Sequence, residues 1–181
     1  LLDLIFLKEN EFFENLKNLS GKTWILGICG GFQMLGESIA DPDNLELGGE
    51  MSGLGLFPMS TCLLGDKKLV RREYQGQNWL KGLCWTGYEI HLGRTFFKIE
   101  PKEALVKKDS TLAVIDREKK MIGTYIHGWF ENNKVVERLL FLLTGKKFNV
   151  PISFNEMKDR EMNELAIFLE KHCDVDQILQ I

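Results

Sequence analysis

The residues with the clearest chemical potential lie in Trp24-Ile-Leu-Gly-Ile-Cys29-Gly-Gly-Phe-Gln-Met-Leu-Gly36. A short apolar run, Trp24 to Ile28, has the length of a strand buried on both faces. A knot of small residues, Cys29-Gly30-Gly31, follows it, and Phe32 to Ala40 then reads as a helix. A strand, a sharp turn and a helix with one thiol at the bend is the pattern of a nucleophile elbow, which lifts the reactive atom above the sheet. The flanking glycines are expected to relieve the tight backbone of that bend. A helix N-terminus beside the thiol is expected to favour the thiolate. A free cysteine is more often a small buried hydrophobe, but packing alone does not call for two glycines after it. Cys29 is therefore the candidate nucleophile.

A cysteine nucleophile needs a base, normally a histidine brought near by the fold. The chain has three histidines. His172 sits beside Cys173 near the end of a helical pattern, which suits a helix-end role. His91 lies inside a strand pattern, where a satisfied core histidine is the commoner outcome. His127 directly follows a strand and precedes Gly128, which places it at the C-terminal edge of a sheet, where open parallel sheets hold their ligands. His127 is the candidate base. The position two residues on, where an orienting acid could complete a triad, is Trp129. Glu131 and Glu89 are possible stand-ins, and a Cys–His dyad is the simpler expectation.

The rest of the chain supplies elements to position these two groups. Residues 1–19 show a rough helical face broken by Gly21. Asp41-Pro-Asp-Asn stops the elbow helix, and Leu47 to Gly55 is a glycine-rich loop without the order of a phosphate cradle. Leu56–Leu64 and Lys68–Tyr74 suggest an antiparallel edge ribbon. Gly87 to Gly93 is a strand in which Glu89 and His91 share a face. Thr95–Ile99, Leu112–Ile115 and Met121–Ile126 are further strands. Asn132 or Asn133 caps a helix over Lys134–Thr144, and Ser153-Phe-Asn-Glu156 is a capping box for a last helix reaching His172. The class is α/β, a single domain over 1–181. No strand candidate precedes Trp24–Ile28, so further strands are expected upstream of Leu1 and the chain is expected to be a C-terminal fragment.

Composition narrows the partners. The chain has 181 residues, 27% charged, with a net charge of −3 and no basic stripe, so nucleic acid is not an expected partner. No apolar run approaches a membrane span. The four cysteines, at 29, 62, 84 and 173, lack the spacing of a zinc site or a disulfide framework. No metal is expected, and a reducing cytoplasm is the expected compartment.

Beyond these patterns, Gly27-Ile-Cys29-Gly-Gly-Phe-Gln33-Met-Leu-Gly36 resembles the nucleophile motif of class I glutamine amidotransferases. Gly87-Tyr-Glu-Ile-His91-Leu-Gly-Arg-Thr95 and Gly123-Thr-Tyr-Ile-His127-Gly-Trp-Phe-Glu-Asn132 resemble the branch that forms the C-terminal glutaminase domain of cobyric acid synthases. The resemblance covers nearly the whole chain. It implies a flavodoxin-like, mostly parallel mixed sheet flanked by helices. It also implies a glutaminase in which Cys29 attacks glutamine and His127 moves the protons. Gly30 would donate its N–H to the oxyanion, and Gln33 would help hold the substrate. Ammonia would go to an ATP-dependent amidation of corrinoid carboxylates in cobalamin biosynthesis. ATP and magnesium would sit on an N-terminal synthetase domain, leaving this domain without a cofactor of its own. The second oxyanion donor is expected ahead of Leu1. A glutaminase serving another amidation, of the a,c-diamide step or of cell-wall lipid precursors, is an alternative. A non-catalytic scaffold is another.

Overall fold

Two short helices, α1 (Leu2–Glu9) and α2 (Phe12–Leu19), open the chain in place of one helical face. Glu11 between them takes a left-handed φ of 61°, which ends the first helix and redirects the second. The computed structural model describes residues 1–65 and 67–174. These divide into one unit over Leu1–Gly128 and a second from Trp129 onward.

In the first unit the apolar run after Gly21 forms β1 (Ile25–Ile28) and Cys29 turns the chain into α3 (Gly30–Met34). The helix is shorter than the Phe32–Ala40 pattern predicts, because Gly36 lies against the Met59 backbone and Ser38 onward is a strand. The strands that follow are β2 (Ser38–Asp41), β3 (Gly49–Ser52), β4 (Met59–Cys62), β5 (Lys68–Gln75) and β6 (Cys84–His91). After them come β7 (Arg94–Phe97), β8 (Ala113–Asp116), β9 (Met121–Thr124) and β10 (Ile126–His127).

The strands pair as β1-β9-β8, β10-β6-β5 and β3-β2-β4-β7. The α/β class holds. Parallel pairing is limited to β1 with β9 and β2 with β4 among the described residues, less than a mostly parallel sheet would show. Short turns such as Arg117–Lys120 between β8 and β9 explain this, since a tight connection permits only antiparallel neighbours. The expected ribbon also divides. β4 pairs with β2 and β7, whereas β5 pairs with β6 along its whole length.

Asp41 does not simply stop a helix. It is fully buried, and its carboxylate accepts backbone N–H bonds from Leu45, Glu46, Leu47 and Gly48 at 2.8–3.1 Å. Burial pushes this carboxyl up, but the four donors together hold it below its ordinary range.

In the second unit Asn132 caps α4 (Asn133–Thr144) by accepting from the Lys134 and Val135 N–H groups, and Gly145 closes it in the left-handed region. Ser153 and Glu156 form both bonds of the capping box at the start of α5 (Phe154–His172). His172 ends that helix with its ring stacked on Phe168, the helix-end role expected for it. No helix among the described residues is long and apolar enough to cross a membrane.

The elbow is seated by two close approaches. A Cβ on Gly27 would lie 2.7 Å from Leu35 Cδ1 and 2.9 Å from the Gly31 backbone, so β1 and α3 can touch only without a side chain there. A Cβ on Gly123 of β9 would lie 2.0 Å from the Phe32 ring. Phe32 is fully buried, with Tyr125 and Phe57 at 5.1 and 5.7 Å between ring centroids. Replacing Gly123 by alanine is expected to displace Phe32 and cost about 1–3 kcal/mol of stability, as overpacking does. Urea unfolding measures this, and a midpoint equal to that of the parent chain would contradict the packing described.

Candidate active site

Cys29 stands at the C-terminal end of β1, its N–H donating to the Thr124 carbonyl at 2.8 Å and so continuing the parallel register with β9. Its backbone is φ 53°, ψ −115°, a conformation that non-glycine residues rarely adopt. This is the strained strand-to-helix turn expected from the sequence. The strain, however, sits on the cysteine and not on the glycines. Neither Gly30 nor Gly31 has positive φ, and a Cβ at either would meet nothing within 4 Å. The close approach that demands glycine is two residues earlier, at Gly27. Gly30 and Gly31 instead leave open space beside the thiol.

The thiol is half-buried and donates to the Ile90 carbonyl at 3.0 Å. Burial raises its pKa above the ordinary thiol value, against the opposing pull of the Gly30 N–H and the Lys67 charge. The expected thiolate-favouring effect of the helix end is therefore outweighed. Alpha3 is too short to offset desolvation, and a carbonyl partner can bind only the protonated sulfur.

His127 ends β10, the continuation of β9, which is the strand paired with β1. β10 pairs with β6, whose Ile90 carbonyl meets the Cys29 thiol, so β6 is the strand that links the two residues. No hydrogen bond joins them: the thiol is turned to Ile90, and His127 Nε2 is buried without a hydrogen-bond partner among the described residues. Its ring stacks on Tyr88, the residue opposite it on β6, with centroids 5.2 Å apart and planes 8° from parallel.

That pairing rules out Glu89 as an orienting acid for His127. Successive side chains of β6 alternate faces, so Glu89 points away from the face on which Tyr88 meets His127. Its carboxylate is taken by Lys68 Nζ at 2.5 Å, Arg72 at 2.7 Å and the Tyr74 hydroxyl at 2.9 Å. Burial pushes the Glu89 carboxyl up, but these donors and charges together hold it below its ordinary range. Glu131 lies on a short 3-10 turn, Trp129–Glu131, and is exposed.

His91 is less satisfied than the core histidine expected. Neither ring nitrogen has a normal hydrogen bond among the described residues, and Nε2 lies 3.7 Å from Glu89 Oε2. Burial and the nearby Lys68 charge lower its pKa, with Glu89 acting against them. The ring stacks on Tyr125 at 4.2 Å.

Gln33 is buried on α3 and donates from Nε2 to the Leu92 carbonyl at 2.9 Å. The backbone of residues 90–92 therefore forms a wall against the elbow, touching the thiol at one carbonyl and Gln33 at another. Pattern reading missed this wall and Tyr125 behind it. Tyr125 is buried against Phe32, hydrogen-bonds to Thr95, and has its pKa raised by desolvation. Thr95 in turn meets Thr61 at 2.8 Å. A cavity of about 690 Å³ opens beside the wall, lined by Lys67, Lys68, His91, Arg94, Thr95 and Tyr125 among others, and not by Cys29 or His127. Among the described residues no cluster of three His, Cys, Asp or Glu side chains is placed to hold a metal ion.

An α/β domain with a cysteine on a strained strand-to-helix elbow and a histidine ending a strand of the same unit is the framework that comparison with known proteins places in a family. Residues 1–135 match the CobB/CobQ-like glutamine amidotransferase domain, and the chain belongs to that family. Relatives include the cobyric acid synthase of Caldanaerobacter subterraneus subsp. tengcongensis, 33% identical over 99% of this chain and 39% of that protein. That of Listeria monocytogenes serovar 1/2a is 34% identical over 100% of this chain and 38% of its own length. For Vibrio vulnificus (strain CMCP6) the values are 32%, 97% and 36%. The chain therefore spans less than two fifths of the length of the cobyric acid synthases it matches.

Thiol reactivity checks the state described for Cys29. The exposed Cys84 and Cys173 are expected to react with iodoacetamide before Cys29 at neutral pH, and Cys29 is expected to reach its full rate only above the pH of an ordinary thiol. Peptide mass spectrometry resolves the sites. Cys29 reacting first at neutral pH would show that burial and the Ile90 contact do not control it.

Proposed function

We propose that this glutamine amidotransferase domain hydrolyses glutamine through a Cys29 thioester and passes the ammonia to an ATP-dependent amidation of corrinoid carboxylates. The observation that carries the proposal is the strained backbone of Cys29, whose thiol meets β6 at Ile90, two residues beyond the Tyr88 on which His127 stacks.

In this reaction His127 accepts the Cys29 proton as the sulfur attacks the carboxamide carbon, forming a C–S bond and a tetrahedral oxyanion. The Gly30 N–H, one residue past the nucleophile, is the oxyanion donor within this chain. His127 returns the proton to the departing nitrogen, the C–N bond breaks, and ammonia leaves a glutamyl thioester. Water, deprotonated by His127, then attacks that carbonyl and releases glutamate and the Cys29 thiol. Gln33 and the 90–92 wall hold the substrate, and the open space beside Gly30 and Gly31 leaves room for its carboxamide.

The corrinoid acceptor is proposed from the relatives, which are named cobyric acid synthases. ATP, magnesium and the corrinoid would be held by a synthetase domain partnered with this one. Amidation of a different acceptor is the alternative, since the family itself is described as CobB/CobQ-like.

The electrophilic glutamine analogue diazo-oxo-norleucine tests the chemistry. An adduct is expected at Cys29, absent in Cys29→Ser and formed about 10²–10⁴-fold more slowly in His127→Ala, the usual loss on removing a general base. An adduct at Cys62 or Cys84 in place of Cys29 would overturn the proposal.

A further inference from the structure

Glu89 is fully buried, and its partners come from the strand beside the site wall. In the β5–β6 register Val70 stands opposite Glu89, with Lys68 opposite His91 and Arg72 opposite Gly87. Lys68 and Arg72 are thus the two diagonal neighbours of Glu89 on one face, within reach of long side chains. Tyr74 is the next residue along that face, and its hydroxyl closes the set. On its other side β6 pairs with β10, and that ladder ends at Glu89 opposite Ile126. Glu89 is the last residue of β6 held from both sides. The next carbonyl, that of Ile90, accepts from Cys29, and that of Leu92 accepts from Gln33.

We propose that Glu89 is a positioning residue: clamped by Lys68, Arg72 and Tyr74, it fixes the Ile90 carbonyl on the Cys29 thiol and keeps the resting nucleophile protonated. A carbonyl oxygen can accept from S–H but has nothing to offer a thiolate, so the contact favours the uncharged sulfur. Of the other groups facing the sulfur, the Gly30 N–H and the Lys67 ammonium favour the thiolate, and Tyr125 lies close enough to interact with it. Burial of the sulfur outweighs them, and the held carbonyl adds to it in the resting site. Substrate displaces the thiol from Ile90 and frees it for His127. The inference rests on the reading of Cys29 as the nucleophile of a glutaminase, and it adds a resting state set from the far side of β6.

Glu89→Gln keeps the shape and removes the charge that gathers the clamp. With iodoacetamide at neutral pH, Cys29 in this variant is expected to alkylate about fivefold faster than in the parent chain, the factor that one net hydrogen bond corresponds to. The pH midpoint of its alkylation is expected to move down, while Cys62, on β4 outside the β5–β6 pair, keeps its rate. General loosening of the fold would speed both cysteines. An unchanged or slower Cys29 in a variant with parental circular dichroism overturns the proposal. If Glu89→Gln loses its fold, Arg72→Met decides the matter, because it removes one clamp bond from a side chain that is 42% exposed. There, faster Cys29 alkylation supports the proposal and an unchanged rate overturns it. Iodoacetamide needs no glutamine site, so this result stands apart from the adduct test for the glutaminase itself.

Discussion

The close approach of α3 to the strands beneath it is the constraint on which the rest of the site depends. Alpha3 has only five residues and could not hold a position by its own hydrogen bonds. It is held because Gly27 lets Leu35 and the Gly31 backbone settle onto β1, and because Gly123 lets the Phe32 ring approach β9. Those two contacts set the angle at which Cys29 leaves the strand. They also decide where Gln33 points, since it follows Phe32 by one residue. The same packing brings Tyr125 and the 90–92 backbone into range, so the surroundings of Cys29 and the core are built by the same few atoms.

Much of this was legible in the sequence where a residue type has few reasons to be where it is. A thiol after a short apolar run and before two glycines signals a strained bend, and Ser153 with Glu156 signals a helix start. Boundaries that depend on tertiary contacts were not legible. Ser38 to Ala40 continues a helical pattern in sequence but becomes part of a strand, because its partners are β3 and β4. The sequence pattern points to 30 and 31 as the positions that need glycine, whereas the steric demand lies at 27 and 123, which only a three-dimensional neighbour can reveal. Glu89 was legible as a residue sharing a face with His91. Its role was hidden, because charges on β5 occupy both faces and only the β5–β6 register shows which of them converge on it.

Two kinds of electrostatic control operate in the fold. Asp41 and Glu89 are buried carboxylates that stay charged because donors surround them, four backbone N–H groups in one case and three side chains in the other. Both contribute stability that is present above the ordinary carboxylate range and lost as pH falls through their lowered values. Cys29 follows the opposite rule: too few donors face it to offset burial, so its uncharged form prevails until something enters the site.

The left-handed backbone at Cys29 sets stability against purpose at a single position. Glycine would adopt φ 53° freely, whereas a residue with a Cβ held there stores on the order of 1–3 kcal/mol of strain. The elbow has glycines on both sides of the cysteine, at 27, 30 and 31, yet none at the residue whose backbone would gain most from one. A chain optimised only for folding would drift toward glycine at position 29, becoming sturdier and chemically silent. The elbow is thus held tense by the Cβ that carries the sulfur, and the packing of the rest of the domain has to offset that strain.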